Sequence, residues 1–190
     1  DKLSRQQEQI LTAAGEGIYG VDLKGITTFV NPAAAKILSW EPEELIGRSQ
    51  HQTIHHTRID GSPYPEEECP ISAALHDGQI HSGTDEIYFR KDGSSFPVEY
   101  ISTPVIEKGE VLGVVVTFED ISLRKKAEED IAYARLYLQN IINAMPSVLI
   151  GVDIEGRVTQ WNNEATKVTG FDPESAYGRQ LEEVCPMLVD

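Results

Sequence analysis

Gly20-Val21-Asp22-Leu23-Lys24-Gly25 returns later in the chain as Gly151-Val152-Asp153-Ile154-Glu155-Gly156. The same register holds without a gap through Thr28/Thr159, Asn31/Asn162, Ala34/Ala165, Lys36/Lys167, Pro42/Pro173, Glu43/Glu174, Gly47/Gly178 and Arg48/Arg179. That makes twelve identities over the 29 positions from 20 to 48, where chance would supply about two. The apolar pairs Ile18/Leu149, Ile37/Val168 and Trp40/Phe171 keep the same register. The chain therefore reads as an N-terminal helix (1–14), a first unit (15–120), a connector (121–145) and the opening part of a second unit (146–190).

Working outward from the repeat, 3–14 shows a weak apolar helical face, and 17–22 and 26–30 read as short strands joined by the turn Asp22-Leu23-Lys24-Gly25, where glycine admits positive φ. Asn31-Pro32 is a helix start, with an oxygen to cap and a proline where no N–H partner is needed. That helix runs to Leu38, and Trp40 follows it as an apolar stop. Pro42–Leu45 begins another short helix, closed by Gly47, and the polar stretch 48–65 reads as loop. Residues 66–76 read as a helix ended by Gly78, with acidic residues at its positive end.

Three long strands follow. Residues 80–90 and 95–106 flank Asp92-Gly93, a strong hairpin signal. Ile87 and Phe89 share a face of the first, and Phe96, Val98 and Tyr100 share a face of the second. Residues 111–118 are nearly continuously apolar, as befits the middle strand of a sheet with both faces partly covered. Two strands, short helices and three more strands make an α+β unit: an antiparallel sheet with helices on one face.

In the connector, apolar residues fall at Ala127, Ile131, Ala134, Leu138, Ile141 and Met145, spaced 4, 3, 4, 3, 4. This is a coiled-coil seam of about three heptads, expected to pair with its copy in a homodimer; the alternative is an amphipathic helix packed on its own unit. A second unit without its three long strands would expose unpaired strand edges. Residues 146–190 are therefore expected to be poorly ordered or completed by another chain.

The 190 residues carry 31 Asp and Glu against 16 Lys and Arg, a net charge of −15. Such a surface repels phosphate backbones and anionic lipid, so neither nucleic-acid nor membrane-surface binding is expected. Cys69 and Cys185 are the sole cysteines, too few for a disulfide framework, and a reducing, cytoplasmic setting is expected. No apolar run approaches a membrane span, although the parent protein could be anchored elsewhere. With Asp1 first and Asp190 ending mid-pattern, the chain reads as an excised piece of something longer.

The repeat block with Asn31-Pro32-Ala33-Ala34 and Pro42-Glu43-Glu44-Leu45-Ile46-Gly47-Arg48 resembles the opening of a PAS sensor domain. Arg90-Lys91-Asp92-Gly93-Ser94-Ser95-Phe96-Pro97-Val98-Glu99 resembles its hairpin, and Gly113 through Ser122, followed by Arg124-Lys125-Lys126-Ala127-Glu128, its last strand and exit helix. The segment Gly61-Ser62-Pro63-Tyr64 with Glu68-Cys69-Pro70-Ile71 resembles a subgroup common in bacterial sensor histidine kinases. The resemblance implies a PAS fold of five antiparallel strands with short helices on one face, then a long connector helix and a second, truncated PAS unit. It implies tandem sensory units feeding a downstream output domain, so this segment is not itself expected to be an enzyme. It also implies that Asp120 pairs with a neighbouring basic group and, with Ile121, couples the sheet to the exit helix. Ser122 stands where Thr is commoner.

A curved sheet under short helices encloses an apolar pocket. Trp40, Ile54, His55, Tyr64, Ile71, Leu75, Phe89, Phe96, Tyr100 and Val116 are the candidates to line it, for a small ligand or as a filled core. No cofactor is required. Haem and flavin lack motif support; for flavin, Ser49-Gln50-His51 follows Gly47-Arg48 where light-sensing PAS relatives carry an Asn-Cys-Arg-Phe type motif. The histidines crowd around His51, His55, His56, His76 and His81, with Cys69 among them. His51 and His55 are spaced to share a helix face and bind a metal with Cys69 as a third ligand, or to offer an axial ligand to haem. The competing readings are hydrogen-bonded loop histidines and a cysteine acting as a small apolar residue. Catalysis by Cys69 lacks an accompanying carboxylate or oxyanion loop, and no phosphate-binding glycine loop is present.

Overall fold

The computed structural model describes Leu11 and residues 15–186. Apart from Leu11, which is helical, the expected N-terminal helix lies outside the described residues. The chain forms two compact units, Asp1–Lys125 and Lys126–Asp190.

In the first unit β1 (Gly17–Asp22) turns into β2 (Thr27–Val30). Asp22 Oδ1 closes the turn by accepting from the N–H groups of Lys24 and Ile26, and Gly25 holds φ +70°. Then come α1 (Pro32–Leu38), α2 (Pro42–Leu45), α3 (Gln50–Ile54), a 3-10 turn (Glu66–Glu68) and α4 (Pro70–Asp77). Three long strands complete the sheet: β3 (His81–Phe89), β4 (Ser95–Glu107) and β5 (Glu110–Asp120). Their order is β2-β1-β5-β4-β3, antiparallel throughout, so β5 lies in the middle between β1 and β4. Along β5 Val114, Val116 and Phe118 are buried, while Val115 and Thr117 are half-buried on the other face. Gly113 permits the tight pairing with β1, since a Cβ there would meet Val21 O at 2.3 Å.

Two expectations about the helices of this unit differ from the structure. Residues 50–54 are helical rather than loop, because Ser49 Oγ caps them by accepting from Gln52 N. The helix expected over 66–76 is broken at Cys69, since Pro70 disfavours helical backbone in the residue before it. The acidic residues therefore sit in the 3-10 turn and Pro70 starts a separate helix.

Helix α5 (Ser122–Ala144) is continuous. The seam residues Ala127, Ile131, Ala134, Leu138 and Ile141 are all solvent-exposed, Ile131 by 69% and Leu138 by 58%. In the second unit β6 (Ile150–Val152) and β7 (Val158–Trp161) form a two-stranded sheet with α6 (Asn163–Thr169), α7 (Pro173–Ala176) and α8 (Leu181–Val184). Trp161, Val158, Ala165, Ala176 and Val184 form its small core, against which Ile150, Phe171 and Leu181 pack. Of the two expectations for 146–190, poor order or completion by another chain, the first does not describe 150–184, which holds defined strands and helices. The turn and caps that organise this stretch are local in sequence, although Val152 and Ile154 stay exposed.

Candidate functional site

Helix α3 carries His51 on its inner face and ends on His55 as its C-cap. Their rings lie 5.8 Å apart, centroid to centroid. Cys69, buried at the break before α4, brings its Sγ to 3.4 Å from His55 Nδ1. One ring nitrogen from each histidine and the Cys69 sulfur all lie within 4.8 Å of one another. All three residues are buried, His55 completely.

The surroundings determine which nitrogens face inward. His51 Nε2 is 2.7 Å from the carbonyl oxygen of Tyr64. A carbonyl only accepts, so Nε2 carries the proton and Nδ1 is a lone pair; Nδ1 is buried without a hydrogen-bond partner. His55 Nε2 lies 2.6 Å from Glu86 Oε2, but off the N–H axis, so the contact is electrostatic rather than an aligned hydrogen bond. The carboxylate still favours the proton on Nε2, which leaves His55 Nδ1 as a lone pair toward Cys69. Glu86 also accepts from Tyr100 OH at 2.8 Å and Tyr64 OH at 3.2 Å.

Burial lowers the His55 pKa, the nearby Glu86 opposing it, so this imidazole is held neutral. For Glu86 burial acts upward, but the contacts from His55, Tyr100 and Tyr64 outweigh it and the carboxyl titrates below its ordinary value. Burial pushes the Cys69 thiol up to about 11, so the free thiol is protonated.

A bulge makes this arrangement. Between Gly83 and Glu86 the β3–β4 register slips, with Asp85 at φ +58°. The extra residue reverses which side chains face inward. Glu86 and Tyr88 point in, so the core face expected for Ile87 and Phe89 belongs to their neighbours instead. Gly83 lies under the Tyr100 ring, which a Cβ would meet at 2.3 Å. Asp85 turns the other way, its Oδ1 accepting from Lys125 Nζ at 2.7 Å in the first turns of α5.

Of the expected pocket residues, Ile54, His55, Ile71, Phe96, Tyr100 and Val116 are buried in the first unit, with Trp40 and Leu75 at the margin of its core. They pack with Tyr19, Tyr88 and Phe118, which sequence reading missed; Tyr19 OH and Tyr88 OH are 3.0 Å apart. Tyr64 is half-buried and borders a cavity of about 180 Å³ that His55, Arg58, Glu86 and Ile87 also line. Phe89 leaves the core to stack on His56 at 4.3 Å. His56 therefore stands apart from the cluster expected of it. His76 bonds Ser72 O, and His81 pairs with Asp77.

The partner of Asp120 is Arg90. Arg90 Nη2 donates to Asp120 Oδ2 at 2.6 Å and its Nε donates to Ile37 O at 3.0 Å, while the guanidinium lies over Phe96. Asp120 Oδ1 accepts from Ser122 N and Oγ, capping the start of α5. Ile121 is buried and its N–H donates to Pro97 O.

The PAS fold family model matches residues 5–121 and again 136–188. The probable diguanylate cyclase DgcE of Escherichia coli is 26% identical over 142 residues, covering 70% of this chain and 12% of that protein. The sensor protein CitS of Halalkalibacterium halodurans is 25% identical over 135 residues, covering 70% of this chain and 22% of that protein. The signal transduction histidine-protein kinase AtoS of Escherichia coli is 25% identical over 126 residues, covering 66% and 19%. The matched stretch is thus under a quarter of each relative. Among solved structures, an RNA-binding light-oxygen-voltage receptor superposes with TM-score 0.56 at 20% identity, covering 71% of this chain and 38% of that one. A PAS domain from Colwellia psychrerythraea gives 0.51 at 18% identity, covering 63% and 98%. No helix among the described residues is long and apolar enough to cross a membrane.

Proposed function

This chain belongs to the PAS fold family, and from that premise we propose that it is the sensory and dimerisation module of a cytoplasmic bacterial signalling protein, a sensor histidine kinase foremost. The first unit takes a small ligand or partner, and α5 passes the change to the second unit and to an output domain in the same parent chain. The relatives named as sensors and kinases support this assignment.

The observation that carries the relay is the Arg90–Asp120–Ser122 junction. One carboxylate joins the β3–β4 hairpin, the end of the middle strand and the first turn of the exit helix. A shift of the hairpin relative to β5 must change either the ion pair or the helix cap. A ligand moves such a junction only by binding two arrangements unequally. The seam from Ala127 to Ile141 offers its row of exposed apolar residues to a second copy, since a 3-4 repeat buries fully only against another helix.

Sedimentation velocity across a concentration series tests the dimer. The chain should show a monomer–dimer equilibrium, and Ile131→Arg with Leu138→Arg should leave a folded monomer. A monomer at every concentration would overturn the dimer, and an unchanged dimer in the double variant would overturn the seam. The rings of Tyr64, Tyr88 and Tyr100 stand 4.9, 4.9 and 5.5 Å from that of His55. They occupy the room a porphyrin would need, which weighs against haem as the ligand.

A further inference from the structure

His51 and His55 each present a lone-pair nitrogen to the interior, and only one proton is available between them. The Cys69 thiol donates a single hydrogen, directed to His55 Nδ1 at 3.4 Å. His51 Nδ1 is left buried and unpartnered, and an orphaned buried acceptor is costly to keep. The outer N–H of His51 donates to the Tyr64 carbonyl, and the outer nitrogen of His55 lies against the Glu86 carboxylate in an electrostatic contact. That outer arrangement is how metal-binding imidazoles are oriented and made more basic.

We propose that His51 Nδ1, His55 Nδ1 and Cys69 Sγ bind one divalent transition-metal ion of the zinc class. The ion takes the place of the thiol proton, which leaves to solvent as the S–metal bond forms, and no redox change is involved. Metal–nitrogen bonds of about 2.0 Å and a metal–sulfur bond of about 2.3 Å place tetrahedral N and S ligands about 3.5 Å apart. The His55–Cys69 separation of 3.4 Å is already close to that value, and one ring nitrogen of His51 lies within 4.8 Å of the other two ligand atoms. Two imidazoles with one thiolate suit zinc better than the oxygen-seeking ions. Three protein ligands leave a fourth position open, and the cavity alongside His55 and Tyr64 gives a route to it.

The site also has a line to the exit helix. Glu86, against His55, is the neighbour in sequence of Asp85, which holds Lys125, so filling the site acts on the bulge between them. This consequence rests on the sensory reading above; metal binding itself does not.

The test uses the full chain, reduced and stripped with a chelator, titrated with cobalt(II) chloride alone. One cobalt per chain should bind, with a sulfur-to-cobalt charge-transfer band and the visible bands of a tetrahedral ion, displaced by one equivalent of zinc. Cys69→Ser should lose the charge-transfer band, Cys185→Ser should keep it, and Glu86→Gln should weaken zinc binding about 10- to 100-fold. No stoichiometric binding, or a band that disappears with Cys185, overturns the site. Should Cys69→Ser fail to fold, X-ray absorption on the zinc-loaded natural chain decides: two nitrogens and one sulfur uphold it, an oxygen-only shell sinks it. A chain that binds no metal yet still dimerises loses this proposal and keeps the sensory one.

Discussion

Asn31 and Asn162 occupy the same place in the two copies of the repeat and make the same four hydrogen bonds. Asn31 Oδ1 accepts from Ile18 N and Ala34 N, and its Nδ2 donates to Leu11 O and Glu16 O. Asn162 Oδ1 accepts from Leu149 N and Ala165 N, and its Nδ2 donates to Ile142 O and Ser147 O. Every partner in the second set is the repeat equivalent of its counterpart in the first. Asp22 and Asp153 close the same turn on equivalent N–H groups. The two units differ in what lies beyond these contacts. The first core joins Tyr19, Tyr88, Phe96, Tyr100 and Phe118 to aliphatic side chains; the second packs mostly small and medium side chains around Trp161. Trp40 has its Nε1 buried without a hydrogen-bond partner, whereas Trp161 Nε1 donates to Phe171 O. At the positions matching His51 and His55 the second unit has Glu182 and Pro186, so the metal-type cluster belongs to the first alone. A front end built from contacts local in sequence is thus copied closely, while the histidine positions of the first unit are not.

The strongest way to break this contrast is Trp161→Ala. Truncating a fully buried indole costs about 3–5 kcal/mol, more than a two-stranded unit can spare. Amide exchange should rise across 150–184 and stay unchanged across 17–120; loss of protection in both would show that the two units unfold together. Asn31→Ala and Asn162→Ala should each cost about 2–3 kcal/mol, combining a lost helix cap with orphaned backbone donors. Urea denaturation followed separately in each unit should find the two costs alike, and a gap above about 1 kcal/mol would mean that surrounding packing matters more than the local network. Arg90→Ala probes the first unit. It removes a charge-assisted bond between partly exposed groups and should cost about 1–2 kcal/mol, with faster exchange at 122–126; slow exchange there would detach Asp120 from any relay. The smallest effect belongs to Lys167→Ala, whose exposed pair with Glu164 spans a single turn of one helix. Its loss should shift stability by under about 0.5 kcal/mol, and thermal melting should register little.

Legibility followed range along the chain. Asn31-Pro32, Asp22 to Gly25 and Asp92-Gly93 act on near neighbours, and their elements stand where the sequence reading puts them. The middle place of β5 was also readable, from its unbroken apolar run. The helix at 50–54 was not, since so short a polar-flanked stretch has no periodicity to see and Ser49 alone caps it. Nor were Tyr88 and Glu86, because one extra residue at Asp85 inverts the alternation after it. Arg90 was visible as part of the hairpin, but its tie to Asp120 closes between the hairpin and the far end of β5.

The sequence by itself determined the repeat, the order of elements and the apolar seam of the connector, since each rests on spacing along one chain. Only the tertiary structure decided that His51, His55 and Cys69 share one small volume with Glu86 behind them. That meeting depends on a helix end, a proline break and a strand bulge all converging on one face of the sheet. The chain's linear spacing carries no record of such convergence; the packing of separate elements creates it.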